Sequence, residues 1–503
     1  MGAADAGNSV PVIVAVAQLA NKDANRLASP LDLAHEAVLR AAAGTPRLLD
    51  LVDALYCPPA SVFAQRTLAD DLGDVLGVAG PRTSASFSGA GPLTMLALAC
   101  EAVIDGSARV ALVAGAVAEA SVKLARAQGL EVTQSAPWSQ GSAGRQAFVR
   151  DDDRHEFRGA ETAAGVTSPG EIFALVESSL AHEAGRDPLA QRAWLGELMA
   201  PFTKVAASRP ELAWFPIVRT AAEISSITPD NRMVAEPYTK RMNSFPMVDL
   251  AAALFVTTDS VADELGIDEN LRVYPWSTGH CKDVAPPSGR PSMHRSGALR
   301  AAIESTLRGA RLGVDDVGAF DLYSCFPAAV QLSINALGID ANDARGFTLT
   351  GGLPYFGGPG ATYVTHAIVS AVERCQGSPN ERALVVGVGG APSDFGATIF
   401  AAERPSTPWT IDRCVAMKDV LEAERVAVDN TRHGVATVDA MTVVHDRDTG
   451  PVRAPLVARF ADGTRCGAHA ADASIVHSLE GESLVGGQVR VSQRDGVAVY
   501  EPA

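Results

Sequence analysis

Cysteine, aromatic residues and positive charge are all scarce in this chain, and each shortage removes a class of function. The seven cysteines (Cys57, Cys100, Cys281, Cys325, Cys375, Cys414 and Cys466) are odd in number, scattered, and form no Cys-x-x-Cys pair. A disulfide framework and a zinc-ribbon site are therefore both excluded, and a reducing cytoplasm is the expected location. Lys and Arg total 42 against 58 Asp and Glu, a net charge of −16, with no basic block, so a dedicated nucleic-acid binder is excluded. No apolar run reaches membrane-spanning length: 10–20 is too short and follows no basic segment, so it reads as a core strand and not as a signal peptide. Gly2 follows the first Met, but Ala6 stands where acylation needs Ser or Thr, so the protein is expected to be unanchored.

What the chain does have is length and apolar content. Its 503 residues are 47% hydrophobic and 20% charged, a composition that predicts two or three packed globular units. Up to residue 118, short apolar runs (10–18, 52–56, 109–117) alternate with helical patterns (31–43, 64–75, 93–104), the mark of a layered α/β domain. Residues 120–245 break this rhythm with many Pro, Ser and Trp and one clear helix at 169–182, predicting an inserted loop domain. Its Asp151-Asp152-Asp153 run reads as a solvated loop. From 249 the alternation returns and repeats the first half, which points to two similar domains and not to a solenoid. After Pro405, six short strand patterns separated by Asp-Gly-type turns predict a small antiparallel barrel of the OB kind. The expected division is 1–119 with 246–260, 120–245, 261–404, and 405–503 as linker plus barrel, with the linker between Glu403 and Arg425.

Four motifs bear on chemistry. Ser86-Phe87-Ser88-Gly89-Ala90-Gly91-Pro92 leads into an apolar helix, where free N–H groups stabilise an anion. It is followed by Asp321-Leu322-Tyr323-Ser324-Cys325-Phe326-Pro327, by Gly351-Gly352 with Gly357-Gly358-Pro359-Gly360-Ala361, and by Gly387-Val388-Gly389-Gly390. The last is not a dinucleotide loop, because Pro392 falls where the third glycine belongs. His280 and Cys281, with Asp283 nearby, read as structural for want of further ligands.

In order and spacing these motifs resemble those of the thiolase superfamily, especially its sterol-carrier-protein type branch and acetyl-CoA acetyltransferases, over residues 8–403. The resemblance implies a duplicated thiolase fold of layered αβαβα type, a dimer, and acyl-CoA chemistry on a Cys/His/Cys set. In this sequence Ser86 stands at the acyl-accepting Cys and Gly387 at the acid/base Cys. Gly358, or Phe356 if the shortened loop slips the register, stands at the activating His. Tyr323 and Ser324 replace the His-Asp or Asn-Glu pair, and Cys325 matches a non-catalytic position. A serine without a base is a poor nucleophile, so thiolase activity is expected to be lost. Two readings follow. One is a binder of CoA or acyl-CoA in lipid metabolism that needs no cofactor. The other is a retro-aldolase or other carbon-carbon lyase using Tyr323 and Tyr355 as acid/base groups, as some thiolase-fold aldolases with an OB-fold partner are thought to do. The segment 81–86, polar and poor in β-branched residues, lies where thiolase dimers pair, so a monomer stands beside the family's dimer as an expectation.

Overall fold

The computed structural model describes residues 9–59, 67–85, 88–130, 147–149 and 159–503. Along the first half run β1 (Pro11–Ala20), β2 (Val52–Cys57), β3 (Arg82–Ala85), β4 (Val110–Ala118) and β5 (Ala147–Val149); β6 (Met233–Ala235) and β7 (Tyr238–Thr239) follow in the insert, and β8 (Asp249–Thr258) returns to the core. The first sheet has the order β1-β8-β4-β2-β3-β5. In the second half come β9 (Tyr274–Lys282), β10 (Ala319–Leu322), β11 (Arg382–Gly389), β12 (Asp394–Ala401) and β13 (Thr410–Asp412), ordered β10-β11-β12-β9-β13. Reading β1-β8-β4-β2 beside β9-β12-β11-β10 gives the same succession of antiparallel, antiparallel and parallel pairs. The duplication is thus explicit in the strand order.

Helices Gly91–Asp105 and Tyr363–Gly377 touch strands of both sheets and each other, forming the central layer. The first buries Leu93, Met95, Leu96, Ala97, Ala99, Cys100 and Val103 round most of its circumference, leaving one stripe of Thr94, Leu98, Glu101 and Asp105 only partly covered. Pro92 sits in its first turn and Gly106 ends it at φ +77°, where a side chain would be strained. Pro30–Ala42, entered through a Ser29/Asp32 capping box, covers the outside of the first sheet, and Gly297–Ala310 covers the second. Backbone hydrogen bonds between Ile13 and Val273 (2.8 and 3.0 Å) join the two sheets.

Residues 120–245 are far more helical than expected. Pro169–Glu183 is followed by the twenty-residue Pro188–Ala207, hidden in the sequence by Pro201, which its neighbours accommodate inside the helix. The Asp151-Asp152-Asp153 run lies outside the described residues. The supposed linker is also structured: β13 adds to the second sheet beside β9, and helix Val415–Ala423 follows.

The tail carries β14 (Gly434–Met441), β15 (Val444–Asp446), β16 (Gly450–Arg453), β17 (Leu456–Arg459), β18 (Arg465–Ala470), β19 (Gln488–Arg494) and β20 (Val497–Pro502). A closed barrel forms from β14-β17-β18-β20-β19. It has five strands, not six, because 426–428 contributes only an isolated bridge from Val428 to Arg465 and two long apolar runs each bend into two strands. The barrel does not hang free. β15 and β16 join β6 and β7 in a sheet shared with the insert. The buried Arg465 guanidinium bonds Asp439 at 2.7 Å and donates to the carbonyls of Ser288 (3.0 Å), Arg290 and Pro291 (3.3 Å). Among the described residues no helix is long and apolar enough to cross a membrane.

Candidate functional site

The four motifs converge where the two halves meet. Ser88 to Ala90 form the turn that opens helix Gly91–Asp105. β10 is short, and after Leu322 the chain leaves the sheet, with Tyr323 N still donating to Val386 O (3.1 Å). This aims the Tyr323 ring at the turn: a Cβ on Gly89 would lie 2.7 Å from its Cζ and 2.8 Å from its Oη, and would collide with the Val388 carbonyl oxygen. Glycine at 89 is therefore a requirement of close approach. Burial drives the Tyr323 phenol well above the usual tyrosine range, so it keeps its proton. Ser324 is fully buried, and its Oγ accepts from Leu353 N (3.3 Å).

Asp321 organises the loop that follows. Its buried Oδ2 accepts from Leu349 N (2.8 Å), Thr350 N (3.1 Å) and the Thr350 hydroxyl (3.1 Å). Desolvation outweighs these bonds and raises its pKa to about 6. The loop holds Gly358 against the insert, where a Cβ would collide with Ser244 Oγ. Phe356, the other register for the activating base, packs edge-on against His366 with centroids 5.2 Å apart. At Gly387 a Cβ would lie 2.9 Å from Ala90 Cα and 3.0 Å from the Gly89 carbonyl oxygen, backbone atoms that have little freedom to retreat. Ser86 lies outside the described residues. Tyr355 does not share Tyr323's surroundings. Its hydroxyl is buried without a partner, its pKa is raised by that burial, and its charged neighbours are Arg219 and Arg241 of the insert. Cys325 is a buried thiol with its pKa driven up by desolvation.

Three further residues meet this turn and were not singled out as a group in the sequence. Ser88 Oγ donates to Asp394 Oδ2 and accepts from Ala90 N (3.1 Å), while Asp394 Oδ1 lies 2.7 Å from His280 Nε2. Burial opposes the imidazolium, but the carboxylate more than offsets it and raises the His280 pKa. For Asp394 burial works against the anion, and His280, with Lys282 and Ser88 in support, still holds the carboxyl below its usual range. The result is a His280–Asp394 pair, its two shifts each favouring the charged form, attached to the turn by a serine hydroxyl. His280 was visible in sequence only as the neighbour of Cys281. Asp394 gave no signal, because only the antiparallel pairing of β12 with β9, Asp394 opposite Lys282, brings the two together. A second buried histidine, His366, is kept neutral by desolvation, its pKa near 3; Nδ1 bonds Gln18 Oε1 at 3.0 Å and Nε2 is unpartnered.

The parallel pairing of β13 with β9 sets Asp412 opposite Gly279 and so carries Cys414 alongside Cys281. Cys414 sits at φ +48° before helix Val415–Ala423. A hydrogen bond shared with Cys281 holds its thiol below the ordinary range against the pull of burial, and Ser305 Oγ lies 3.7 Å from its sulfur.

Residues 417–496 match the family model described as the thiolase-like protein type 1 additional C-terminal domain. Over 98% of this chain and 99% of its own, a monomeric SCP2-thiolase-like protein type 1 from Mycobacterium smegmatis superposes with TM-score 0.83 at 26% identity. The tail thus matches the additional domain of thiolase-like proteins of type 1, and the whole chain has the fold of one such protein. Its core is shared more widely: an Ltp2–ChsH2(DUF35) aldolase (20% identity, 78% of this chain and 98% of that, TM-score 0.57) and the dimeric peroxisomal thiolase of Saccharomyces cerevisiae (17%, 78% and 98%, 0.55) have the same fold. No curated protein sequence matches significantly. The thiolase fold of the core and the five-stranded barrel of the tail agree with the expected fold class. The outer edge of β3 is paired within the chain, Thr83 opposite Ala147 and Ala85 opposite Val149.

Proposed function

We propose that this thiolase-like protein binds an acyl-CoA-type thioester in lipid metabolism, as a monomer in a reducing cytoplasm, without thiolase chemistry and without a cofactor. The observation that carries this reading is the closure of the positions where the family keeps its activating base and its second cysteine. At Gly358 a Cβ would first have to displace the Ser244 hydroxyl, and at Gly387 it would lie 2.9 Å from Ala90 Cα in the backbone of the turn, closer than real Cβ atoms come. A side chain at 387 therefore has no room without a backbone shift. The expected result is that cleavage of acetoacetyl-CoA is undetectable while calorimetric titration with CoA and a series of acyl-CoAs gives saturable binding. Robust acetoacetyl-CoA cleavage, or no heat with any thioester, overturns it.

A second reading rests on Tyr323 alone. Its phenol is retained as an acid beside the turn, the place from which a retro-aldolase would exchange a proton with a β-hydroxyacyl thioester. Tyr323→Phe keeps the ring and removes the proton. If lyase activity is found it falls at least ~100-fold in this variant; under the binding reading acyl-CoA affinity stays within a few-fold.

A further inference from the structure

We propose that Glu236, His445 and Glu480 form a zinc-class divalent cation site that fastens the barrel to the insert. The three residues come from separate elements. Glu236 lies in the turn between β6 and β7, His445 on β15, and Glu480 just beyond helix Ala473–Ser478. One ligand atom from each lies within 4.8 Å of the other two.

The turn is held rigidly, since Glu236 N donates to Val443 O (2.9 Å) and its carbonyl accepts from the Thr442 hydroxyl (2.8 Å). The Glu236 and His445 side chains are each only 7% exposed. The Glu236 carboxylate accepts from Gly481 N (3.1 and 3.0 Å) and has His445 Nε2 at 3.3 Å, a long contact for a charged pair. Among the described residues no Lys or Arg pairs with Glu236 or Glu480. The buried Glu236 carboxylate thus has one backbone N–H and one imidazole as partners and a second carboxylate within reach, a donor set open to a divalent cation.

The donor set names the ion. One imidazole nitrogen with two carboxylate oxygens suits zinc, a water taking the fourth position. Magnesium and calcium call for six or more oxygens. Bonds of about 2 Å in a tetrahedron bring ligand atoms to about 3.3 Å from one another. Closing from 4.8 Å falls to Glu480, which is exposed and can swing, while Glu236 and His445 are already fixed. The ion would tie the turn after Ala473–Ser478 to the hairpin of the insert, adding a third fastener to the shared sheet and Arg465.

The test uses the full-length protein, stripped with chelator and titrated with zinc against a chromogenic zinc indicator. One equivalent should bind with a dissociation constant below ~10 μM, and a hundredfold excess of zinc over that constant should raise the melting temperature, as ligand linkage requires. Glu480→Gln, at an exposed position, should melt as wild type without metal and bind zinc at least ~10-fold more weakly. His445→Gln should abolish tight binding. Millimolar magnesium should not compete. Absence of binding up to 100-fold above that constant overturns the proposal, as does wild-type affinity in both variants, which would put the metal elsewhere.

Discussion

Asp394→Asn offers the sharpest test of the charged pair at the turn. The substitution keeps the shape of the side chain and removes its charge, leaving the His280 imidazolium, 21% exposed, with no counter-ion at 2.7 Å. Breaking a buried pair by neutralising one partner costs roughly 3–5 kcal/mol; the partial exposure of His280 argues for the lower end, about 3 kcal/mol. At roughly 2 °C per kcal/mol for a long chain, the melting temperature should fall by about 6 °C. The sign of its pH dependence follows from the two shifts. His280 has a raised pKa, so its contribution is complete below about 6.5, its unfolded value, and is lost as pH rises through the folded value. Asp394 has a lowered pKa, so its contribution is complete above about 3.9 and is lost as pH falls through the folded value. The deficit of the variant should therefore be largest near pH 5.5 and clearly smaller at pH 8.5. Scanning calorimetry at these two pH values measures it, and the His280 ring signals followed by NMR should titrate at lower pH in the variant, where burial acts unopposed. An equal deficit at both pH values, or an unmoved His280 midpoint, refutes the ionic account.

Arg465→Met should loosen the barrel, since the carbonyls of Ser288, Arg290 and Pro291 and the Asp439 carboxylate all lose their donor. Limited proteolysis should then release a C-terminal fragment of about 80 residues that the wild type retains, and equal resistance would mean that the shared sheet alone suffices. Of the seven cysteines, Cys414 should be alkylated first by iodoacetamide at pH 7.5, because its thiol alone is lowered, while burial raises those of Cys57, Cys100, Cys325, Cys375 and Cys466 and the hydrogen bond to Cys414 raises that of Cys281. Peptide mass spectrometry reads the order, and prior labelling elsewhere refutes it. Light scattering at micromolar concentration should give a mass near 52 kDa, since β5 already occupies the outer edge of β3; twice that value would mean that copies pair by another surface.

The duplicated core was legible because its strands are continuous apolar runs and its central helix is apolar over most of its surface; local pattern and burial agree there, as at Val110–Ala118. The helix Pro188–Ala207 was not legible, because Pro201 breaks the local pattern and tertiary packing restores it. In the site, the approach of Tyr323 to Gly89 was legible as motif order, though not as contact. Ser88, Asp394 and His280 are 306 and 114 residues apart in their two bonded pairs, and strand register alone unites them. At Tyr355, a motif-adjacent position, burial was legible in the sequence, while the lack of a hydrogen-bond partner for its hydroxyl was not.

The sheet shared by β6, β7, β15 and β16 has a consequence for synthesis. The hairpin at Glu236 leaves the ribosome 209 residues before His445. At about 5–20 residues per second this is a wait of roughly 10–40 s. During that interval the outer edge of β6 exposes unpaired N–H and C=O groups to any passing strand. The nascent chain therefore has a window of vulnerability that its own last hundred residues close, and a transcript truncated before β15 would yield an insert with a permanently open edge.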